Sequence, residues 1–243
     1  MNNIYLCGQP LSVYGARLRQ NYTISGCATA PTVSQGKNDS RFFLLERTSG
    51  LLTVTLPLDF YGENVREIAQ NMAYLRGLCQ EMLELDLGDG FRYRLILTGA
   101  GEQEWTEDVL CSQTLTFQGM RLGDKITVTG VPYMTLHNPG TWAKTACRLT
   151  IHGFKSTAKQ AYIRLRQNGK NFLAWQISKN DGFSGGDLVL DGIDKTNTYG
   201  GKTLPEGSMF WTEYPYLQPG ENGFQVTGCE FTDAVVEWEP GYV

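Results

Sequence analysis

Gly182-Phe183-Ser184-Gly185-Gly186 carries the G-x-S-x-G pattern of a hydrolase nucleophile elbow. An elbow raises its serine on a sharp strand-to-helix turn and needs a histidine later in the chain. Here a polar run, Ser178–Asp181, precedes the motif, and the strand-like Leu188-Val189-Leu190 follows it. Both histidines, His137 and His152, lie upstream. The pentapeptide therefore reads as a glycine-rich loop. Gly200-Gly201-Lys202-Thr203 ends like a phosphate-binding loop, but Thr196 stands where the pattern needs its first glycine, and Asp194–Asn197 stands where it needs a hydrophobic strand. Cys147 and His152, five apart on a strand-like run, point to opposite faces. Asp187, Asp191 and Asp194 could offer oxygens to Ca²⁺, but their spacing is not that of an EF-hand, and loop aspartates commonly bond their own turns. No spacing among the acidic residues of the C-terminal part identifies a glycosidase carboxylate pair. No catalytic, cofactor-binding or metal-ligating residue is assigned, and the chain is expected not to be an enzyme.

Binding chemistry is better represented. Phe210, Trp211, Tyr214 and Tyr216 cluster in FWTEYPYLQPG, where rings with polar tips suit core and loop packing, a protein interface or the face of a sugar. Trp175 aligns instead with Leu173 and Ile177 on a core face. From Lys125 to Asn180 there are nine Lys/Arg and no acid; from Asp181 to Val243 there are eleven acids and only Lys195 and Lys202. Alternation in Tyr162–Arg166 sets Arg164 and Arg166 opposite Ile163 and Leu165. Three readings fit these blocks: basic and acidic strands paired within one sheet, complementary surfaces meeting between copies, or a nucleic-acid contact by the basic stretch. Trp211, Tyr214, Tyr216, Arg164 and Arg166 are the candidate interface or sugar-contact residues.

The elements that must position these groups are mostly strands. The chain has 243 residues, 41% hydrophobic and 19% charged, with 28 Gly and 9 Pro, which is enough for one large domain or two ordinary ones. A net charge of −4 supplies no global basic field for nucleic acid or an anionic membrane, and no apolar run is long enough to span a bilayer. The N-terminus lacks a signal-peptide pattern, and the six scattered cysteines form no C-x-x-C pair. An even count could mean three bridges, but free thiols and synthesis in a reducing cytoplasm are the expectation. Leu51–Leu56, Phe91–Leu97, Thr114–Phe117 and Ile126–Val128 are β-rich, and Gly88-Asp89-Gly90 between Glu84–Leu87 and Phe91–Leu97 marks a hairpin. From Glu63 to Met82, apolar residues recur at spacings of three and four, which predicts an amphipathic helix over about 63–82. Pro31–Arg41 is a long polar stretch that fits best as an arm or loop. Beyond Val131–Gly140, read as a linker, at least six strand-like runs predict an antiparallel sandwich. The expected fold is mainly β with one long helix: an N-terminal β/α domain, 1–138, then a β-sandwich, 139–243.

The order of the pieces carries further information. Ile4-Tyr5-Leu6 and Leu11-Ser12-Val13-Tyr14-Gly15 lead the chain; Arg47–Leu51 with its strand, the helix from Glu63, the hairpin and Val131-Pro132-Tyr133 follow. After them come Leu188-Val189-Leu190-Asp191, Tyr214–Asn222 with its Pro-x-Leu-x-Pro-Gly-x-Asn stretch, and the closing Val235–Tyr242 with its Trp strand. In order and total length this resembles the distal tail protein family of long-tailed phages infecting Gram-positive bacteria. The resemblance implies a ring-forming N-terminal domain, a galectin-like C-terminal sandwich and a homohexamer at the virion tail tip or baseplate. Such a ring joins the tail tube protein to a tail-associated hub protein and to receptor-binding, host-adhesion components. No cofactor is implied. The other reading is a carbohydrate-binding, lectin-like β-sandwich protein.

Overall fold

Strands arise here wherever apolar and polar side chains alternate. The computed structural model describes residues 4–26, 29–35, 42–106, 108–178, 182–204 and 207–242, with 29–35 and 42–49 described through their backbone. These residues are mainly β, in antiparallel sheets, with one α-helix among them. No described helix is long and apolar enough to cross a membrane. The chain divides into two compact units, 1–123 with 242–243, and 124–241.

In the first unit, Leu52–Tyr61 buries Leu52, Val54, Leu56, Leu58 and Phe60 on one face. It pairs along its length with Leu110–Leu122, which pairs in turn with Arg92–Ala100, Leu83–Asp86 and then Tyr5–Leu6. The expected hairpin is present. Gly88 and Gly90 adopt φ of 71° and 84°, a region open to glycine at little cost, and the Asp86 and Asp89 carboxylates accept from Gly88 N–H and Phe91 N–H. The helix runs over Val65–Leu78, shorter at both ends than 63–82. Asn64 caps it, its side chain accepting from Glu67 N–H at 3.1 Å, while the Glu67 carboxylate accepts from Glu63 N–H at 2.7 Å. Ile68, Met72 and Leu75, with Cys79 at the C-cap, form the buried stripe; Met82 lies 66% exposed beyond it. The helix stops because the chain must turn into Leu83–Asp86, whose backbone belongs to the sheet ladder. Pro31–Gln35 lies within a strand, Thr29–Gln35, that pairs with Phe42–Ser49; the rest of the expected arm, 36–41, lies outside the described residues.

The second unit is a sandwich of two antiparallel sheets. One has the order Ile126–Gly130, Asp233–Trp238, Thr145–Ser156, Ser184–Asp191, Thr196–Tyr199, Lys202–Thr203. The other has the order Tyr133–Asn138, Gly220–Thr227, Gln160–Gln167, Lys170–Ser178, Met209–Trp211. Their inner faces bury Trp175, Trp238, Phe154, Leu149, Ile163 and Leu190, so Trp175 is a core residue as alternation requires. The unit begins at Asp124 rather than near 138. Val131–Gly140 is not a linker: Tyr133–Asn138 is a strand registered on Gly220–Gln225, and Pro132 supplies only a carbonyl, which accepts from Val226 N–H. Buried Asn138 then donates to Thr145 Oγ1 and to the Gln218 carbonyl and accepts from Gly140 N–H, so the polar turn residues are part of the sandwich's hydrogen bonding.

Candidate functional site

The chemical motifs resolve into ordinary β structure. Ser184 opens the Ser184–Asp191 strand, with no helix after it; Gly185 and Gly186 N–H donate to the Tyr199 hydroxyl at 3.0 and 2.7 Å. Gly200 and Gly201, at φ of 55° and 76°, form the two-residue turn of the Thr196–Tyr199/Lys202–Thr203 hairpin, a conformation suited to that turn and not to a phosphate cradle. The three aspartates do not converge. Asp191 is buried and accepts from Arg148 Nε at 2.5 Å and from Ile193 and Asp194 N–H, whereas Asp187 accepts from Gly153 N–H and faces His152 Nδ1 at 3.1 Å. Cys147 is fully buried while His152 is on the outer side, as the strand period demands. Among the described residues, no group of three or more Cys, His, Asp or Glu is arranged to hold a metal ion.

The two charge blocks meet within one sheet. Lys125 pairs with Glu237 at 2.5 Å, Arg148 with Asp191 and Asp194, and Lys155 with Glu230 at 3.4 Å. Lys144 reaches Glu213 at 2.7 Å. Lys179, Asp181 and Glu206 lie outside the described residues. Burial, partly opposed by Lys144 and reinforced by Glu213, raises the pKa of the Tyr216 phenol.

Trp211, Tyr214 and Tyr216 are brought together. They line a pocket of about 490 Å³ with Lys144, Glu213 and Lys195. The Trp211 and Tyr214 rings meet at 63° with centroids 4.4 Å apart, the Lys144 ammonium sits 4.8 Å from the Tyr216 ring centroid, and Phe172 packs behind Tyr216 at 5.5 Å. Phe210, one residue away in the strand, is 62% exposed and does not line the pocket. Arg164 and Arg166 are elsewhere, on the outer face of the five-stranded sheet. The Arg164 guanidinium covers Tyr162 at 4.5 Å, and Arg166 donates to the Gly169 carbonyl at 3.0 Å. The five candidate residues therefore divide into an aromatic pocket and a separate sheet face. Lys144 and Lys195 were missed in the sequence, since nothing local ties them to the aromatic cluster; Glu213 stood inside that cluster and was legible there.

A second concavity, of about 460 Å³ in the first unit, is lined by Ser12, Tyr61, Glu63, Glu67 and Asn71. The helix cap occupies its polar groups: Glu67 is bonded to Glu63 N–H, and Asn71 donates to the Tyr61 carbonyl.

No protein-family profile matches the sequence, and no curated protein matches it. Solved structures do match. The Dit protein (gp 19.1) of SPP1, described as a paradigm of the hub adsorption apparatus in phages infecting Gram-positive bacteria, superposes with a TM-score of 0.65 at 13% identity, over 99% of each chain. A chain of the phage P2 baseplate in its Ca-activated conformation gives 0.52 at 12% identity, over 96% of this chain and 92% of that one. The Sr-activated form of the same baseplate also gives 0.52 at 12% identity, over 95% and 92%. The fold of this chain is the fold of the SPP1 Dit hub protein.

Proposed function

We propose that the chain is a structural component of a phage tail: a Dit-like baseplate hub protein that assembles as a homohexameric ring at the distal end of the tail. The observation that carries this reading is the end-to-end likeness to the SPP1 hub protein, which leaves no large segment of either chain unaccounted for. The ring joins the tail tube protein to a tail-associated hub protein and to the receptor-binding machinery, and the protein is made in the host cytoplasm before entering the virion. It acts by holding its neighbours and not by catalysis.

The first unit, 1–123, is the ring-forming part, and the second is the sandwich, galectin-like in the family's terms. Among the described residues, ten of the fifteen exposed large hydrophobic ones are in the first unit, including Val13 at 58%, Tyr74 at 60% and Met82 at 66%. The strands Thr29–Gln35 and Phe42–Ser49 pair only with each other among the described residues, and an isolated two-stranded ribbon is marginal in water. A neighbouring copy that covers these elements makes a heterologous contact, and six such contacts close a ring. Light scattering and negative-stain imaging of the full chain test this. A sixfold ring of six times the single-chain mass is expected; a species of single-chain mass at every concentration overturns it.

A further inference from the structure

The aromatic pocket of the sandwich has attributes of a small-ligand site. Its volume, about 490 Å³, falls within the usual range for small-molecule sites. The Trp211 and Tyr214 rings meet in a T-shaped arrangement, and Trp211 remains 38% exposed beside the pocket it lines. A flat, half-exposed indole is a stacking platform for the C–H face of a pyranose ring, and the tyrosines add polar tips within the same wall. Lys144 and Glu213, 2.7 Å apart, set a donor and an acceptor side by side, as adjacent sugar hydroxyls require.

Charge narrows the ligand further. Lys144 and Glu213 neutralise one another, while Lys195 has no ion pair among the described residues, so the pocket is left with one positive charge. The backbone that carries that lysine is fixed, while its side chain is exposed. Lys195 adopts φ of +53°, uncommon for a residue with a side chain, directly after a turn in which the Asp191 carboxylate accepts from both Ile193 and Asp194 N–H. Gly192 is packed so closely that a Cβ there would lie 2.0 Å from the Pro215 carbonyl oxygen. Gly192 N–H donates to the Cys147 carbonyl, and Cys147 N–H donates to that of Pro215, which ties the lysine-bearing turn to the aromatic segment. The backbone of a wall built this way loses little freedom on binding.

We propose that this pocket binds a saccharide bearing an anionic group, with Trp211 stacking on the sugar ring, Lys144 and Glu213 engaging hydroxyls, and Lys195 pairing with a phosphate or carboxylate. Ligand-observed NMR on the full chain tests it with four probes: proton saturation transfer for glucose 1-phosphate, glucuronate and glucose, and ³¹P line broadening for inorganic phosphate, which carries no C–H protons. Both charged sugars should bind with dissociation constants on the order of a millimolar, the scale expected of one sugar ring in one pocket. The stronger of the two identifies the anion as phosphate or carboxylate. Glucose should bind about tenfold more weakly, and inorganic phosphate alone should give no saturable signal. Lys195→Ala should remove the preference for charged over neutral sugar and leave glucose binding intact. Trp211→Ala should abolish all sugar binding, while Trp211→Phe, which keeps an aromatic face, should retain it. Far-ultraviolet circular dichroism confirms that each variant is folded. The proposal is overturned if no probe sugar binds, if inorganic phosphate binds as tightly as glucose 1-phosphate, or if binding survives Trp211→Ala. A loss of oligomer mass in Trp211→Ala also overturns it, because the pocket is then a contact between copies.

Discussion

Replacing Asp191 should destabilise the sandwich more than any other single change to its ion pairs. The Asp191 side chain is 4% exposed, and it accepts from Arg148 Nε at 2.5 Å and from Ile193 and Asp194 N–H at 2.8 and 3.0 Å. Asp191→Ala removes all of these acceptors. Breaking one side of a buried pair costs about 3–5 kcal/mol. The lower end applies here, because Arg148 is 36% exposed and keeps Asp194 at 2.9 Å. Asp191→Asn keeps an acceptor for the turn amides and loses only the charge on the arginine bond, about 2 kcal/mol on the scale of charge-assisted bonds. Asp194→Ala removes a carboxylate that is 64% exposed and should cost less than about 1 kcal/mol. The expected order is therefore Asp194→Ala, Asp191→Asn, Asp191→Ala. Urea unfolding of the full chain, followed by near-ultraviolet circular dichroism of the buried Trp175 and Trp238, measures the sandwich transition. A cost of about 3 kcal/mol lowers its thermal midpoint by roughly 10 °C. If Asp194→Ala costs as much as Asp191→Ala, or if Asp191→Ala costs less than about 1 kcal/mol, burial does not set the strength of this pair.

Acid should weaken the bond between Asp187 and its strand neighbour. The Gly153 amide first, then His152, hold the Asp187 carboxyl below its ordinary value of 3.8, so its contribution is present above the unfolded value and is lost as pH falls through the folded one. With the side chain 53% exposed the effect is small, and Asp187→Asn should slightly narrow the gap in urea midpoint between about pH 6 and pH 2.5. Among the described thiols, Cys7 is exposed, whereas burial pushes Cys79 and Cys229 up to about 11 and Cys147 further still. Alkylation of the folded protein near neutral pH, mapped by mass spectrometry, should label Cys7 well before those three, and early labelling of Cys147 would contradict its burial. A fragment spanning 124–241 should unfold cooperatively, whereas 139–243 should not: it lacks Ile126–Gly130 and Tyr133–Asn138, including fully buried Leu136. Equal solubility and equal urea midpoints for the two fragments would refute the division at Asp124.

Local patterns made much of the fold legible. The Leu83–Asp86/Arg92–Ala100 hairpin follows from two glycines that must take positive φ between alternating runs, and the helix follows from Ile68, Met72 and Leu75 on one stripe. The period overshoots the C-terminal end because Cys79 and Met82 continue it, although the entry to the next strand cuts the helix short; at the other end the cap at Asn64 sets the start at Val65. The domain boundary was misplaced for a different reason. Pro132, Pro139 and Gly140 carry every local sign of a linker, while the partner that makes Tyr133–Asn138 a strand is about ninety residues away, opposite Gly220–Gln225. Pairing at that distance leaves no trace in a window of ten residues. The pocket divides the same way: the three rings sit within six positions, but Lys144 joins Glu213 across 69 residues.

The charge blocks carry this reasoning through to assembly. In sequence, a basic run followed by an acidic run fits one sheet folding on itself best, and also fits complementary patches of two copies meeting head to tail. For the residues of one sheet the strand order supplies partners within the chain, because Thr145–Ser156 lies between Asp233–Trp238 and Ser184–Asp191. Arg148 therefore meets Asp191, His152 lies between Asp187 and Asp233, and Lys155 meets Glu230, all within one chain. Charges already matched inside a protomer have little left to offer a neighbour. Among the described residues, the exposed large apolar ones, by contrast, are concentrated in 1–123. Contacts in the proposed ring should therefore be mainly apolar, and its mass should not change as salt shortens the Debye length from about 30 Å to about 3 Å.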